Sequence, residues 1–153
     1  MTPTPPVSEL TTHLGFWLRM VSNHVSHAFA ARLADKGVTV AEWSLMRALY
    51  DREPTPPSRL ADAMGLTRGA VTKLADRLIG KALLARRPSE ADGRAQTLAL
   101  TAAGVALVPE LAALADRNDA AFFDLLTAEE RQTLRDLLMR MVERGRMTTP
   151  PLD

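Results

Sequence analysis

Residues 55–101 read TPPSRLADAMGLTRGAVTKLADRLIGKALLARRPSEADGRAQTLALT, and this stretch decides the fold. Its first half carries apolar residues three and four positions apart on both sides of Gly65, as expected for two short helices joined by a glycine turn. The inward-facing residues are predicted to be Leu60, Ala61, Met64, Leu66, Val71, Leu74 and Leu78. Its second half carries two strand-like runs, 83–87 and 95–100, around an Asp-Gly-Arg turn at 92–94. The stretch predicts a helix-turn-helix followed by a β-hairpin, which together form a winged helix.

Small hydroxyl residues mark where the helices should begin, because their oxygens accept hydrogen bonds from backbone amides that a helix start leaves unpaired. The predicted N-cap residues are Ser8, Thr39, Thr55, Thr67, Thr101 and Thr127. Thr39 with Glu42, and Thr127 with Glu130, have the spacing of reciprocal capping boxes. Gly37 is expected to end the first helix in the left-handed conformation.

Charge is unevenly placed along a chain of otherwise ordinary composition. The 153 residues are 46% hydrophobic and 24% charged, with a formal net charge of +1. Residues 55–94 nevertheless contain eight Lys and Arg against four Asp and Glu, a net charge of +4, and the remainder carries −3. A basic middle between acidic ends favours a module that contacts phosphates while the rest of the chain serves another purpose.

The second helix of the helix-turn-helix should expose one polar face. That face carries Arg68, Thr72, Lys73, Asp76 and Arg77, beside the cap residue Thr67. An α-helix fits the DNA major groove, where Arg68 could pair with a guanine edge and Thr72 could touch a thymine methyl or a phosphate. The alternative is an ordinary solvated amphipathic helix.

The hairpin places arginines where a wing would meet DNA. Arg94 at the turn suits the narrow, electronegative minor groove. Arg86 and Arg87 in the first strand are predicted to lie near backbone phosphates, or else to be ordinary surface charges. Asp92 cannot bind an anion, and we expect it to orient Arg77 or Arg94 through a charged hydrogen bond.

The helices outside the winged helix carry apolar stripes that one such module cannot cover. The last helix contributes Leu134, Leu137, Leu138, Met141 and Val142. We expect one mainly α-helical domain over residues 1–153, with dimerisation helices at 8–36 and 101–146 and a DNA-binding region at 39–100. Packing two copies together would set two recognition helices about 34 Å apart, one turn of DNA. Pro109 should kink the long fifth helix or be tolerated near its start.

A ligand pocket is a further hypothesis. Its candidate residues are His13, Trp17, Met20 and His24 in the first helix and Trp43, Met46 and Arg47 in the second. An aromatic-lined cleft beside an arginine would suit a planar anion such as a phenolic acid or urate. The tryptophans and methionines could equally be core and interface packing. A metal site at His24 and His27 is a weaker alternative, because three histidines and no cysteine offer few ligands.

Several classes of protein are disfavoured. The absence of cysteine excludes disulfides, thiolate zinc sites and thiol-based sensing. No apolar run approaches the roughly 20 residues that span a bilayer, and no signal peptide is evident, so we expect a cytoplasmic protein. A glycine-rich phosphate loop and a nucleophile elbow are both missing from the sequence, which predicts no enzyme, no catalytic residue and no cofactor.

The order of elements, with Asp92-Gly93-Arg94 leading into Leu98-Ala99-Leu100-Thr101 and Gly104, resembles the MarR family of bacterial transcription regulators over nearly the whole chain. The resemblance implies a homodimer that binds a pseudo-palindromic operator, usually represses genes and is released by a small ligand. It assigns DNA contact to Thr67, Arg68, Thr72, Lys73, Arg77 and Arg94. The alternative is an architectural or dimerisation-only winged-helix protein without an effector.

Overall fold

The computed structural model describes residues 1–91, 93–148 and 150–152. Over these residues the chain forms a 3₁₀ helix at Leu10–Thr12, six α-helices and two β-strands. The helices are α1 (Leu14–Ala34), α2 (Val40–Leu49), α3 (Pro57–Met64), α4 (Arg68–Gly80), α5 (Ala102–Phe123) and α6 (Ala128–Gly145), and the strands are β1 (Leu84–Pro88) and β2 (Gln96–Leu100). The two strands pair antiparallel, with Leu84 opposite Leu100 and Pro88 opposite Gln96. The predicted mainly α-helical winged helix is confirmed.

The core lies where the end of α1, helices α2 to α4, the hairpin and the start of α5 meet. Its most buried side chains are Leu33, Leu45, Met46, Leu60, Val71, Leu78, Leu98 and Leu111. The apolar residues predicted to face inward in the helix-turn-helix do so, with Met64 and Leu66 half-buried at the edge. Leu98 and Leu100 both point inward from β2, as alternation along a strand requires.

Four threonine caps form as predicted. The hydroxyl oxygens of Thr39, Thr67, Thr101 and Thr127 each accept a hydrogen bond from the backbone amide three residues later. Glu130 completes the second predicted capping box, because its carboxylate accepts from the Thr127 amide at 2.9 Å. Such caps stabilise a helix by about 1 kcal/mol each.

Thr55 is not a helix cap, contrary to the prediction. Its amide donates to the Leu98 carbonyl at 3.0 Å, and the Leu98 amide donates back at 2.8 Å. The Thr55 hydroxyl donates to the Glu53 carbonyl at 2.7 Å. Helix α3 begins two residues later, at Pro57, with Pro56 as its N-cap. Thr55 therefore adds a short bridge to the open edge of β2, which fastens α3 to the wing.

The first helix also begins later than predicted. Ser8 caps nothing, and α1 starts at Leu14 after the 3₁₀ turn, with His13 as an N-cap that makes no side-chain capping bond. The Trp17 indole nitrogen donates to the Thr11 carbonyl at 2.9 Å, which holds the 3₁₀ turn against α1. At its other end, Gly37 takes the predicted left-handed conformation, with a φ of 73°.

Helix α5 starts in very close contact with Leu83, the residue directly before β1. A Cβ atom added to Gly104 would collide with the Leu83 carbonyl oxygen and lie 3.1 Å from a Leu100 methyl. The Thr101 amide also donates to the Leu83 carbonyl, at 3.1 Å. Only glycine fits here, so the first turn of α5 and the base of the wing are packed backbone to backbone. The helix then continues through Pro109 without interruption.

Helix α6 stands away from the core, and none of its residues is buried. Between α6 and the end of α5 lies a groove of about 680 Å³ whose apolar lining includes Phe123, Leu134, Leu138, Met139 and Val142. Beyond α6 the chain turns at Arg146, which has a φ of 48°, and the Thr148 carbonyl oxygen comes within 2.9 Å of the place where a Gly65 Cβ would stand. Among the described residues, no helix combines the length and apolarity needed to cross a bilayer.

Candidate nucleic-acid interface

The candidate interface is built on α4, which follows the tight turn at Gly65. This glycine has a φ of 67°, and Thr67 then caps α4 by accepting from the Ala70 amide at 3.1 Å. One side of α4 is buried in the core through Val71, Leu74, Ala75 and Leu78. The opposite side is exposed and carries Arg68, Thr72, Lys73, Asp76 and Arg77, as predicted. We call this side the α4 outer face.

Among the described residues, no internal bond holds the cations of the α4 outer face. Within the described part of the chain, the side chains of Arg68, Lys73 and Arg77 form no hydrogen bond or ion pair with another residue. Lys73 and Arg77 lie four residues apart, so they project from the same side of the helix. Arg68 occupies the first helical position, next to the amides at the N-terminus of α4 that favour anions.

Thr72 presents mainly its methyl group to a partner. Its hydroxyl donates to the Arg68 carbonyl at 3.0 Å, one turn earlier in the same helix. That bond uses the only hydroxyl hydrogen, so the side chain has no donor left for a phosphate. Of the two contacts predicted for Thr72, the apolar one to a thymine methyl is the one that this rotamer favours.

The wing is joined to α4 by an ion pair between Arg86 on β1 and Asp76 on the α4 outer face. Side chains alternate along a strand, so Arg86 shares the face of buried Leu84, which looks toward α4. Both partners keep about half of their side-chain surface exposed. The sequence predicts Arg86 to be either a phosphate contact or an ordinary surface charge, and in the structure its guanidinium is ion-paired with Asp76, which links the wing to α4.

Arg87 and Arg94 are the remaining wing arginines, and both are exposed. Arg87 points to the opposite side of β1 from Arg86, and its carbonyl accepts the Thr97 hydroxyl at 2.9 Å. The Ser89 amide donates to the Ala95 carbonyl at 2.9 Å and closes the wing loop. Asp92, predicted to orient an arginine, lies outside the described residues.

Glu42 departs from the predicted capping box. Its amide donates to Thr39, but its carboxylate does not return to the cap, since Glu42 Oε2 lies 2.6 Å from Lys81 Nζ. Lys81 is the C-cap residue of α4, and its Nζ also donates to the Gly37 carbonyl at 2.7 Å. Lys81 is therefore bonded to other parts of the protein, although the sequence counts it among the cations of the basic segment.

The predicted pocket residues have two different surroundings within one subunit. His13, Trp17, Met20 and His24 are exposed along the first half of α1, where the His24 ring nitrogen lies 2.8 Å from the Met20 carbonyl. On α2, by contrast, Met46 is fully buried, Trp43 packs at the core edge, and Arg47 lies over the Tyr50 ring at 5.8 Å. The groove between α5 and α6 is lined by neither set. Across the described residues, no three His, Asp or Glu side chains are grouped as metal ligands.

Asn118 is a structural residue that the sequence analysis missed. It is buried where α1 crosses α5, its Nδ2 donates to the Val25 carbonyl at 3.1 Å, and its Oδ1 accepts from Arg32 Nε at 3.3 Å. A buried amide needs such partners on both sides. The available signal was a lone asparagine near the end of an alanine-rich helix, which does not specify a partner.

The chain is similar to known transcription regulators. Residues 36–95 match the model of the MarR family. Over 134 residues, 87% of this chain and 81% of the relative, it is 29% identical to a putative transcriptional regulatory protein for the hcr operon of Thauera aromatica. A mutant of MarR from Escherichia coli complexed with operator DNA is 25% identical, with a TM-score of 0.74 over 84% of this chain and 93% of that one. BpsR of Bordetella bronchiseptica, whose DNA binding is regulated by 6-hydroxynicotinic acid, is 26% identical, with a TM-score of 0.75 over 89% of this chain and 97% of that one.

Proposed function

The chain is a member of the MarR family of DNA-binding transcription regulators, and we propose that it acts as a homodimeric repressor on a pseudo-palindromic operator. The proposal includes release from DNA by a small ligand and involves no enzymatic step. A role on the chromosome is also what supports a cytoplasmic location.

The observation that carries DNA recognition is the α4 outer face with the wing fixed beside it. Opposite the buried side of α4 stand three cations that bond to no other described residue, and the Asp76–Arg86 pair holds β1 in a set position relative to them. We assign base contacts to Arg68 and Thr72, with Thr67 next to them at the helix start, and phosphate contacts to Lys73, Arg77 and Arg87. We assign Arg94 to the minor groove, where guanidinium groups bind well.

Dimerisation is supported by apolar surface that one subunit leaves uncovered. On α1, Leu14, Trp17, Leu18, Met20 and Val21 are exposed, and on α6 the exposed residues are Leu137, Leu138, Met139, Met141 and Val142. Groups of exposed large apolar residues such as these usually mark an interaction site. A second copy packed against α1 and into the groove between α5 and α6 would cover them, and it would bring two α4 helices to one duplex.

The proposed effector is a planar aromatic anion that binds beside α1. The indole of Trp17 and the imidazoles of His13 and His24 offer a stacking surface with polar groups, so the ligand would bind within the proposed dimer interface. The regulation of BpsR by a hydroxylated aromatic acid supports this ligand class. Met46 is too deeply buried to contact a ligand directly, so we assign it to the packing beneath the site.

Fluorescence anisotropy with a promoter fragment tests the proposal against an architectural role. The upstream region of the gene for this chain is the first fragment to use, with a random duplex of equal length beside it. A sequence-specific regulator binds the promoter roughly 1,000-fold or more tightly, with affinity falling steeply as salt rises. Equal affinity for both duplexes would favour the architectural alternative, and no binding to either would favour a dimerisation-only protein.

A further inference from the structure

Lys81, at the end of α4, is bonded to two distant parts of the chain. Its Nζ donates to Glu42 Oε2 at 2.6 Å and to the Gly37 carbonyl oxygen at 2.7 Å. Glu42 belongs to the first turn of α2, and Gly37 lies in the turn that follows α1. One ammonium group thus joins the end of the recognition helix to the junction of α1 and α2. We call these three residues the α4 anchor.

The Glu42 carboxylate is in an unusual position, because the residue is only 1% exposed. Burying a carboxylate is costly unless it is paired and hydrogen-bonded. A glutamate three residues after a threonine cap could bond locally to the cap amide and stay near the surface. Here the carboxylate instead faces Lys81, 39 positions away in the sequence. The pair is buried on one side only, because the Lys81 side chain keeps 39% of its surface exposed. Such ion pairs often add little stability compared with apolar residues of the same volume, so the pair points to a geometric role.

The anchor lies between two parts of the molecule that have different tasks. Helix α1 belongs to the apolar surface that a second copy would cover, and α4 carries the outer face proposed to enter DNA. Apolar contacts along α4 are not directional, whereas hydrogen bonds from one ammonium group to two oxygens allow only a narrow range of positions. The anchor is therefore suited to fix how α4 is aimed relative to α1.

We propose that Lys81 and Glu42 are positioning residues that set the spacing and angle between the two recognition helices of the dimer. This inference rests on the proposed function, since it requires two α4 helices on one operator. When one half-site is bound, the second is engaged at a high effective concentration only if the two helices match the two half-sites. Loosening the anchor lowers that match without touching any DNA-contacting side chain.

The test compares two double variants of the full chain, Glu42→Met/Lys81→Met and Lys36→Met/Glu110→Met. The second removes an exposed ion pair of 3.4 Å that starts from the same end of α1, so it is matched for charge and substitution. Replacing both partners avoids leaving one buried charge unpaired. Each protein is titrated with three duplexes. The first is the operator that the wild type selects from random duplexes, the second is the same operator with two extra base pairs between its half-sites, and the third is a single half-site. Circular dichroism confirms folding.

We expect the wild type and the control variant to lose about 100-fold in affinity when the half-sites are moved apart. The anchor variant should bind the selected operator about tenfold more weakly, lose less than about tenfold on insertion, and bind the half-site normally. A wild-type spacing preference in the anchor variant overturns the inference. The inference is also overturned if the anchor variant loses as much affinity for the single half-site as for the selected operator, because that result indicates a local structural role. A wild type that selects no paired half-sites contradicts the proposed function itself.

A single variant covers the case in which the double variant does not fold. Lys81→Arg keeps the positive charge, but it distributes the donors over a planar head group in place of one Nζ atom. It is expected to change the preferred half-site spacing while half-site affinity stays at the wild-type value. An unchanged spacing preference in this folded variant counts against the inference.

Discussion

Arg86 on the first wing strand and Asp76 on α4 are ion-paired, so that a carboxylate on the surface proposed to face DNA holds the wing. An exposed pair of this kind contributes only about 0–1 kcal/mol to stability. We therefore expect the pair to affect DNA binding more than stability. A negative charge on this surface repels phosphates, and removing it has two opposing effects on affinity.

Asp76→Asn is expected to lower the ratio of specific to non-specific DNA affinity by about tenfold, because the wing loses its attachment while the surface becomes less repulsive to any duplex. Titrations of operator and random DNA at one salt concentration measure this ratio. Asp62→Asn, on an exposed part of α3, removes the same charge away from the wing and should leave the ratio unchanged. A normal ratio for Asp76→Asn would show that the pair does not position the wing.

Arg94→Ala should weaken operator binding sharply, by about 1–3 kcal/mol, since it removes the group proposed to enter the minor groove. Dimer formation and helix content should be unchanged, which sedimentation and circular dichroism verify. Arg117→Ala, an exposed arginine on α5, provides the control for loss of one charge. If Arg94→Ala binds the operator as tightly as Arg117→Ala in a gel-shift titration, the wing has no role in recognition.

Arg68→Ala and Lys73→Ala should have different consequences. Loss of a base contact at Arg68 relaxes sequence preference at one position of each half-site. Loss of a phosphate contact at Lys73 weakens all sequences alike and reduces the slope of log affinity against log salt by about one. Selection of binding sites by each variant, followed by salt titration, separates the two. A wild-type sequence preference for Arg68→Ala would remove it from direct readout.

Gly104→Ala is expected to destabilise the fold by about 1–3 kcal/mol, because the new methyl group meets the Leu83 carbonyl oxygen. Chemical denaturation measures the loss. Gly80→Ala is the comparison, since a Cβ there has no neighbour within 4 Å, and alanine is the better helix former by up to about 1 kcal/mol. Equal stability of the two variants would mean that α5 is free to shift away from β1.

Trp17→Ala should abolish release from the operator by an aromatic acid such as 6-hydroxynicotinic acid, while operator binding itself is preserved. Trp17→Phe keeps a stacking ring but loses the N–H that bonds the Thr11 carbonyl, so it should retain part of the response. Anisotropy with increasing acid concentration reads out release. Should Trp17→Ala unfold or lose the dimer, the indole is structural and the effector site lies elsewhere.

The parts of the fold that could be predicted from the sequence are those determined by neighbouring residues. The Thr127–Glu130 capping box and the left-handed turns at Gly37 and Gly65 need only residues a few positions apart. The prediction was wrong for Thr55, because its backbone found a strand partner more than forty residues later, a contact that no local pattern indicates. The predicted contact between the Glu42 carboxylate and the cap amide is wrong for the same reason, since the carboxylate bonds to the distant Lys81 instead.

In the candidate site, too, local features could be predicted from the sequence and long-range contacts could not. Periodicity alone identified which side of α4 is exposed, because a buried stripe fixes the opposite one. It did not identify the pairing of Asp76 with Arg86, which depends on how a strand lies across a helix. The pocket residues recur at helical spacing too, yet spacing cannot say that Met46 faces the core while Met20 faces outward.

The close packing of Gly104 on Leu83 has a mechanical consequence. Because no side chain separates the two backbones, we expect a tilt of α5 to carry the base of the wing with it. A helix of 22 residues is about 33 Å long, so a tilt of about 5° at its base moves its far end by about 3 Å. Conversely, a ligand that displaces the far end by a few ångströms would rotate the arginine-bearing hairpin without altering its internal hydrogen bonds.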